Sequence, residues 1–183
     1  MPFLPDLSDD ASLLEVFRRY PESCRHLIAQ HESLMRGPSP FSPAERELLA
    51  AYVSALNGCR YCFGIHAAVA ERLGIAPGLA QSLTTDPEAG AVDARLRPVL
   101  KLARRLTMTP TVVRKADADA VLAMGWGADG LYQAVAIVAL FNQMNRLVEG
   151  LGIELAPDYL AVAAGRLADR GYGALLQMLA RPG

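Results

Sequence analysis

Residues 57–66 read Asn57-Gly58-Cys59-Arg60-Tyr61-Cys62-Phe63-Gly64-Ile65-His66, and an apolar segment opening near Glu47 leads into them. Asn57 and Gly58 both tolerate the left-handed backbone that ends a helix, so one helix stops there and another starts at or near Cys59. On that second helix the i, i+3, i+7 spacing of Cys59, Cys62 and His66 puts all three on one stripe. Upstream, Ser42-Pro43-Ala44-Glu45 reads as a capping box, with Ser42 as N-cap, Pro43 at the first helical position and Glu45 three residues after the cap. That helix runs to about Leu56. Glu47 then lies on a neighbouring helix, facing a thiol pair at a helix N-terminus.

Unpaired N–H groups at a helix N-terminus stabilise a thiolate, which is the reactive form of cysteine. The CxxC spacing keeps the second thiol close enough for a disulfide. Imidazole and a desolvated carboxylate both titrate near neutral pH, so His66 and Glu47 suit proton transfer. The set points to dithiol redox chemistry, as in a thiol–disulfide oxidoreductase acting on a protein disulfide or in a redox sensor. A zinc site built from Cys59, Cys62, His66 and Glu47 is a further alternative, although structural zinc usually draws its second ligand pair from a more distant segment. The remaining alternative is a non-catalytic helical oligomer in which the cysteines only pack. No metal and no cofactor is expected.

The pattern E-x11-C-x2-C-x3-H formed by Glu47, Cys59, Cys62 and His66 resembles the alkylhydroperoxidase AhpD-like, carboxymuconolactone decarboxylase superfamily. It is most similar to the branch of uncharacterised peroxidase-related enzymes, in which CxYC, a later Leu-Thr-x-Thr-Pro (here 106–110) and a Phe-Asn-x-x-Asn-Arg-Leu segment (here 141–147) recur. The resemblance covers roughly residues 20–160 and implies an all-α AhpD-like fold with the CxxC at the N-terminus of a central helix. It also implies a thiol-dependent peroxidase. Cys62 would attack the peroxide, Cys59 would resolve it, and Glu47 and His66 would relay protons, with an external thiol or protein as reductant. Members assemble as dimers, trimers or hexamers, so a homo-oligomer is expected. Where alkylhydroperoxidase proper has a further histidine just before its second cysteine, this chain has Tyr61, a phenol that does not titrate near pH 7. The superfamily's decarboxylases lack the cysteine pair, which argues against lactone decarboxylation.

With 183 residues, 52% of them hydrophobic and 20% charged, the chain suits one domain over 1–183, with a last helix at about 157–180. A net charge of −1 gives no footprint for nucleic acid and no broad attraction to anionic membranes. Three cysteines do not make a secreted disulfide framework. Met1-Pro2-Phe3-Leu4-Pro5-Asp6 has neither a basic n-region nor an apolar h-region, and no run of eighteen apolar residues exists. A soluble, cytoplasmic protein is expected.

Outside the site, residues 9–36 form two helical patches separated at Tyr20-Pro21, and Cys24, His26 and His31 among them read as packing or surface residues. Helices are predicted at 77–83, 92–106, 117–124, 129–148 and 157–180, with a loop at 84–87 and an interruption at Gly171-Tyr172-Gly173. Lys101, Arg104 and Arg105 read as a solvated face. The 129–148 helix is apolar on nearly every side, so it is expected to be central or buried in an oligomer interface. Its Asn142, Asn145 and Arg146 either hydrogen-bond loops or a neighbouring subunit, or line the thiol pocket. Glu71-Arg72-Leu73-Gly74-Ile75 and Glu149-Gly150-Leu151-Gly152-Ile153 echo each other, a weak sign of a duplicated helical hairpin.

Overall fold

A computed structural model describes residues 2–86 and 92–179. Within them the chain forms α1 (Leu13–Arg19), α2 (Pro21–Arg36), α3 (Pro43–Leu56), α4 (Arg60–Arg72), α5 (Leu79–Thr85), α6 (Arg97–Met108), α7 (Lys115–Ala123), α8 (Gly127–Gly150), α9 (Pro157–Arg170) and α10 (Gly173–Leu179), with short 3-10 turns at Ala94–Leu96 and Pro110–Val112. No strand occurs among the described residues, so the fold is all-α.

The α3–α4 pair is set by its ends. Glu45 N–H donates to Ser42 Oγ at 3.2 Å and Ser42 N–H donates to Glu45 Oε2 at 2.7 Å, which completes the capping box at the start of α3. At the other end Gly58, with φ +72°, turns the chain; Gly58 N–H donates to Ala55 O and Cys59 N–H to Ser54 O, a Schellman cap. Cys59 is itself the N-cap of α4: its carbonyl accepts from Phe63 N–H, and its Sγ accepts from Cys62 N–H at 3.5 Å. One residue thus closes α3 and opens α4, and the helix proper begins at Arg60 rather than at Cys59.

The same cap recurs at the two echoed pentapeptides. Gly74 N–H bonds Glu71 O and Ile75 N–H bonds Ala70 O at the end of α4; Gly152 N–H bonds Glu149 O and Ile153 N–H bonds Val148 O at the end of α8. The echo therefore marks a repeated helix stop, and the similarity needs no duplicated hairpin to explain it.

Boundaries elsewhere differ from expectation by a turn or less. Thr84 and Thr85, expected in a loop, belong to α5, and Pro87 lies outside the described residues. The 92–106 segment opens with a 3-10 turn, because Pro98 fits only the first turn of an α-helix, and α6 runs on to Met108. The last helix is two: Gly171, at φ +64° and ψ −162°, takes a backbone that essentially only glycine adopts, so α9 stops at Arg170 and α10 starts at Gly173.

A continuous apolar core runs through the helices. α3 is buried along most of its length, packed on α4, α6 and α8, while α9 lies on α4 and α10 on α2. α8 buries all but one narrow stripe: Tyr132, 69% exposed, and Val135 lie on the stripe that continues through Arg146 toward Gly150. Its near-uniform apolarity thus matches burial on most sides, with one face left to solvent. Arg46, buried between α2 and α3, donates to Leu34 O at 3.0 Å and Gly37 O at 2.9 Å, satisfying carbonyls at the C-terminal end of α2. No described helix is long and apolar enough to cross a membrane.

Candidate active site

α4 carries Cys62 in its first turn and His66 one turn later, with Cys59 at its cap, and α3 brings Glu47 up from below. The four residues expected from the sequence therefore come together. Both thiols are free, and all four side chains are buried. They differ in what they face. Cys62 and His66 line a cavity of about 80 Å³, whereas Cys59 is fully buried and does not line it.

Glu47 is the electrostatic centre. Its side chain is inaccessible to solvent, and each oxygen is engaged. Oε2 accepts from His66 Nδ1 at 2.6 Å; Oε1 pairs with the Arg36 guanidinium at 2.7 Å and accepts from Tyr172 Oη–H at 3.0 Å. Burial works against the charge, but His66 and then Arg36 outweigh it and hold the carboxyl below its ordinary value. An ionised carboxylate is acceptor-only, so the hydrogen bond places the proton of a neutral His66 on Nδ1 and leaves Nε2 with the free lone pair. Nε2 is then the ring atom able to take a proton.

Aromatic rings fix this imidazole. Phe141 of α8 meets His66 edge-on, with centroids 4.5 Å apart, and Tyr172 lies nearly parallel to it at 6.5 Å. Tyr172 is held in turn by Glu32 of α2, whose Oε2 accepts from the backbone N–H groups of Tyr172 and Gly173 at 2.7 Å each. The guanidinium of Arg36, which also donates to Met35 O and Leu167 O, lies 5.2 Å from the Tyr172 ring centroid. Burial, then the neighbouring Glu47 charge, pushes the Tyr172 phenol well above its usual value, so it stays a hydrogen-bond donor at any physiological pH.

The thiols are unequal. A hydrogen bond with Cys62, reinforced by burial, pushes the Cys59 thiol far up, which keeps it protonated. Cys62 lines the cavity, one helical turn before His66. Tyr61 also lines the cavity, and burial, with Tyr159 beside it, pushes its phenol up, so it adds no titrating group. His31, read as a surface or packing residue, is buried on the same cavity; burial lowers it to about 4 although its Nδ1 donates to Leu27 O at 2.8 Å, so it is neutral at pH 7. Cys24 is a buried packing thiol, likewise pushed up by burial.

Asn142, Asn145 and Arg146 do not line the cavity. Asn57 Nδ2 donates to Asn145 Oδ1 at 2.8 Å and to Asn142 Oδ1 at 3.2 Å, and Asn145 Nδ2 donates to Ser54 Oγ at 3.0 Å. Arg146 steadies Asn142 through its carbonyl and amide oxygens. Together they pin the Asn57-Gly58 turn that delivers Cys59. Among the described residues no three His, Cys, Asp or Glu side chains converge as metal donors, and the oxygens of Glu47 are already engaged by Arg36, Tyr172 and His66.

Arg36, Glu32 and Tyr172 escape a reading of the sequence. Each lies far along the chain from the CxxC, and only the Gly-Tyr-Gly interruption marks one of them.

Residues 21–105 match the profile of the Carboxymuconolactone decarboxylase family. No curated protein matches the chain. Among solved structures, an uncharacterized peroxidase-related protein from Silicibacter sp. TM1040 is similar at 26% identity and a TM-score of 0.75, over 81% of this chain and 78% of that one. An uncharacterized peroxidase-related protein from Ralstonia eutropha JMP134, an alkylhydroperoxidase AhpD core, superposes with a TM-score of 0.74 at 23% identity, over 81% and 78% of the two chains. A protein of unknown function from Agrobacterium tumefaciens shares the fold at 13% identity, with a TM-score of 0.67 over 80% of this chain and 99% of that one. The all-α architecture is thus the AhpD-like fold. Residues 21–105 are thus similar to the carboxymuconolactone decarboxylase family, and the chain shares its fold with the peroxidase-related proteins.

Proposed function

We propose that the protein is a thiol-dependent peroxidase with an antioxidant role, working through a Cys59/Cys62 dithiol cycle and a Glu47/His66 proton relay. His66 Nε2 takes the Cys62 thiol proton, and the thiolate attacks the distal oxygen of a hydroperoxide ROOH. The O–O bond breaks, Cys62 becomes a sulfenic acid, and the alkoxide leaves as ROH with the proton carried by His66. The Cys59 thiol then condenses with the sulfenic acid, forming the disulfide and releasing water. An external thiol or protein dithiol restores both cysteines, in keeping with a reducing compartment such as the cytoplasm.

The observation that carries this reading is the placement of Cys62 on the cavity wall with His66, whose ring is oriented by a buried, ionised Glu47. The position of Cys59 supports its part as resolving thiol, since its Sγ accepts from the backbone N–H of Cys62. Cys62 is 3% exposed and lines the cavity, which favours a small hydroperoxide.

The test is a thiol count on prereduced protein before and after one equivalent of hydroperoxide, with the remaining peroxide assayed alongside. Loss of two thiols with matched loss of peroxide is expected. Three free thiols and untouched peroxide would refute the reading.

A further inference from the structure

The cavity beside Cys62 is walled mainly by apolar side chains such as Leu14, Phe17, Ile28 and Phe141, and one permanently charged residue, Arg166 of α9, lines it. The other buried or half-buried arginines of the core have oxygen partners. Arg36 has Glu47 and two carbonyls, and Arg46 has two carbonyls. Arg166 is different. Among the described residues its guanidinium has one hydrogen bond, to the thioether Sδ of Met178 at 3.7 Å, and no ion pair. The carboxylates that brace the site are committed elsewhere: Glu32 to the turn at Tyr172 and Gly173, and Glu47 to Arg36 and His66.

With a thioether as its one partner among the described residues, this half-buried guanidinium keeps N–H donors available to an anion in the cavity. Its planar fork matches a carboxylate bidentately. We propose that Arg166 forms an anion subsite of the cavity, which takes a ligand with a carboxylate at Arg166 and an apolar body running toward Cys62. Resting on the peroxidase reading, the substrate class is an organic hydroperoxide that also carries a carboxylate. The apolar walls accept the carbon chain, and the two polar ends of the ligand meet the thiol and the guanidinium.

The subsite is tested by calorimetric binding of hexanoate and of 1-hexanol to the prereduced protein, its Arg166→Met variant and its Arg166→Lys variant. Wild type binds hexanoate about 10- to 100-fold more tightly than hexanol, the range expected of a charge-assisted hydrogen bond. Arg166→Met binds the two alike, and Arg166→Lys keeps part of the preference. Equal binding by wild type, or a preference that survives in Arg166→Met, overturns the proposal, and the wild-type comparison stands even if a variant does not fold. In turnover, the ratio of KM for 6-hydroperoxyhexanoate to that for its methyl ester rises toward one or above in Arg166→Met. Binding needs no turnover, so the two failures are distinguishable: selective hexanoate binding without peroxide consumption sinks the peroxidase reading alone, and peroxide consumption without selective binding sinks the subsite alone.

Discussion

Replacing Glu47 by Gln keeps the shape of the side chain and removes its charge. In wild type two carboxylate oxygens receive three donors: Arg36 and Tyr172 on Oε1, His66 Nδ1 on Oε2. Glutamine offers one acceptor oxygen. If that oxygen serves Arg36 and Tyr172, the amide N–H₂ faces His66 Nδ1, and the ring satisfies it only by giving up the Nδ1 proton and carrying Nε2–H instead. The lone pair then points at the introduced amide, and Nε2 no longer offers one to the Cys62 thiol. The thermodynamic cost comes from the lost ion pair. Deleting one partner of a buried pair costs about 3–5 kcal/mol, and Arg36 retains two carbonyl acceptors, so the low end, about 3 kcal/mol, applies. For a chain of this size that lowers Tm by about 6–12 °C at pH 7. Because the folded state depresses the Glu47 carboxyl, its contribution is present above the unfolded value near 4.5 and is lost as pH falls through the folded value. The gap between the two proteins is therefore widest near neutral pH and closes in acid. Loss of the base slows peroxide-driven oxidation of Cys62 by about 10²-fold or more. Calorimetric melts from pH 7 to 3 and stopped-flow thiol loss measure both effects. A Tm within about 2 °C of wild type at pH 7 together with an unchanged oxidation rate would refute the reasoning.

Cys62→Ser abolishes peroxide consumption, while Cys59→Ser consumes one equivalent and stops at a sulfenic acid that mass spectrometry detects as a single added oxygen. His31 is buried neutral and its folded value is depressed from 6.5 to about 4, so the unfolded chain binds the extra proton and stability falls as pH drops between those values. At about 1.4 kcal/mol per pH unit this amounts to about 3 kcal/mol, and urea denaturation of His31→Gln at pH 7 and pH 4.5 should show a shallower acid loss than wild type. Tyr172→Phe removes one hydrogen bond to a charged acceptor, about 1.5–3 kcal/mol, and slows Cys62 oxidation with the fold intact by circular dichroism. Gly171→Ala forces a side chain into a backbone region essentially closed to it, 2.9 Å from Glu32 Oε2, and destabilises by about 1–3 kcal/mol in thermal melts.

What could be read from the sequence was local. The Ser42 capping box, the Asn57-Gly58 stop and the Cys59, Cys62, His66 stripe are all decided within a turn or two of helix, where spacing determines which side chains are neighbours. Glu47 was legible for the same reason, since a helix of known start fixes which way its second turn faces. Arg36 and Tyr172 were not legible, because they approach Glu47 from 11 and 125 positions away and carry no local pattern. His31 illustrates the same limit: burial beside His66 is a tertiary fact, and a lone histidine in an amphipathic helix gives no sign of it. The two echoed pentapeptides show the converse, where a local signal is real but its cause is a helix cap.

The carboxylate that organises the site and the phenol that braces it are made at different times. Tyr172 follows Glu47 by 125 residues, about 6–25 s of synthesis at about 5–20 residues per second. For most of that interval the growing chain carries both site cysteines, while Glu47 lacks one of its donors and the Glu32 side chain has no turn to grip. The site is therefore completed only once the segment carrying Tyr172 has been translated. A ribosome that stalls or terminates before Tyr172 releases a product with every thiol and no braced relay, so premature products are expected to be poor peroxidases that still carry free thiols.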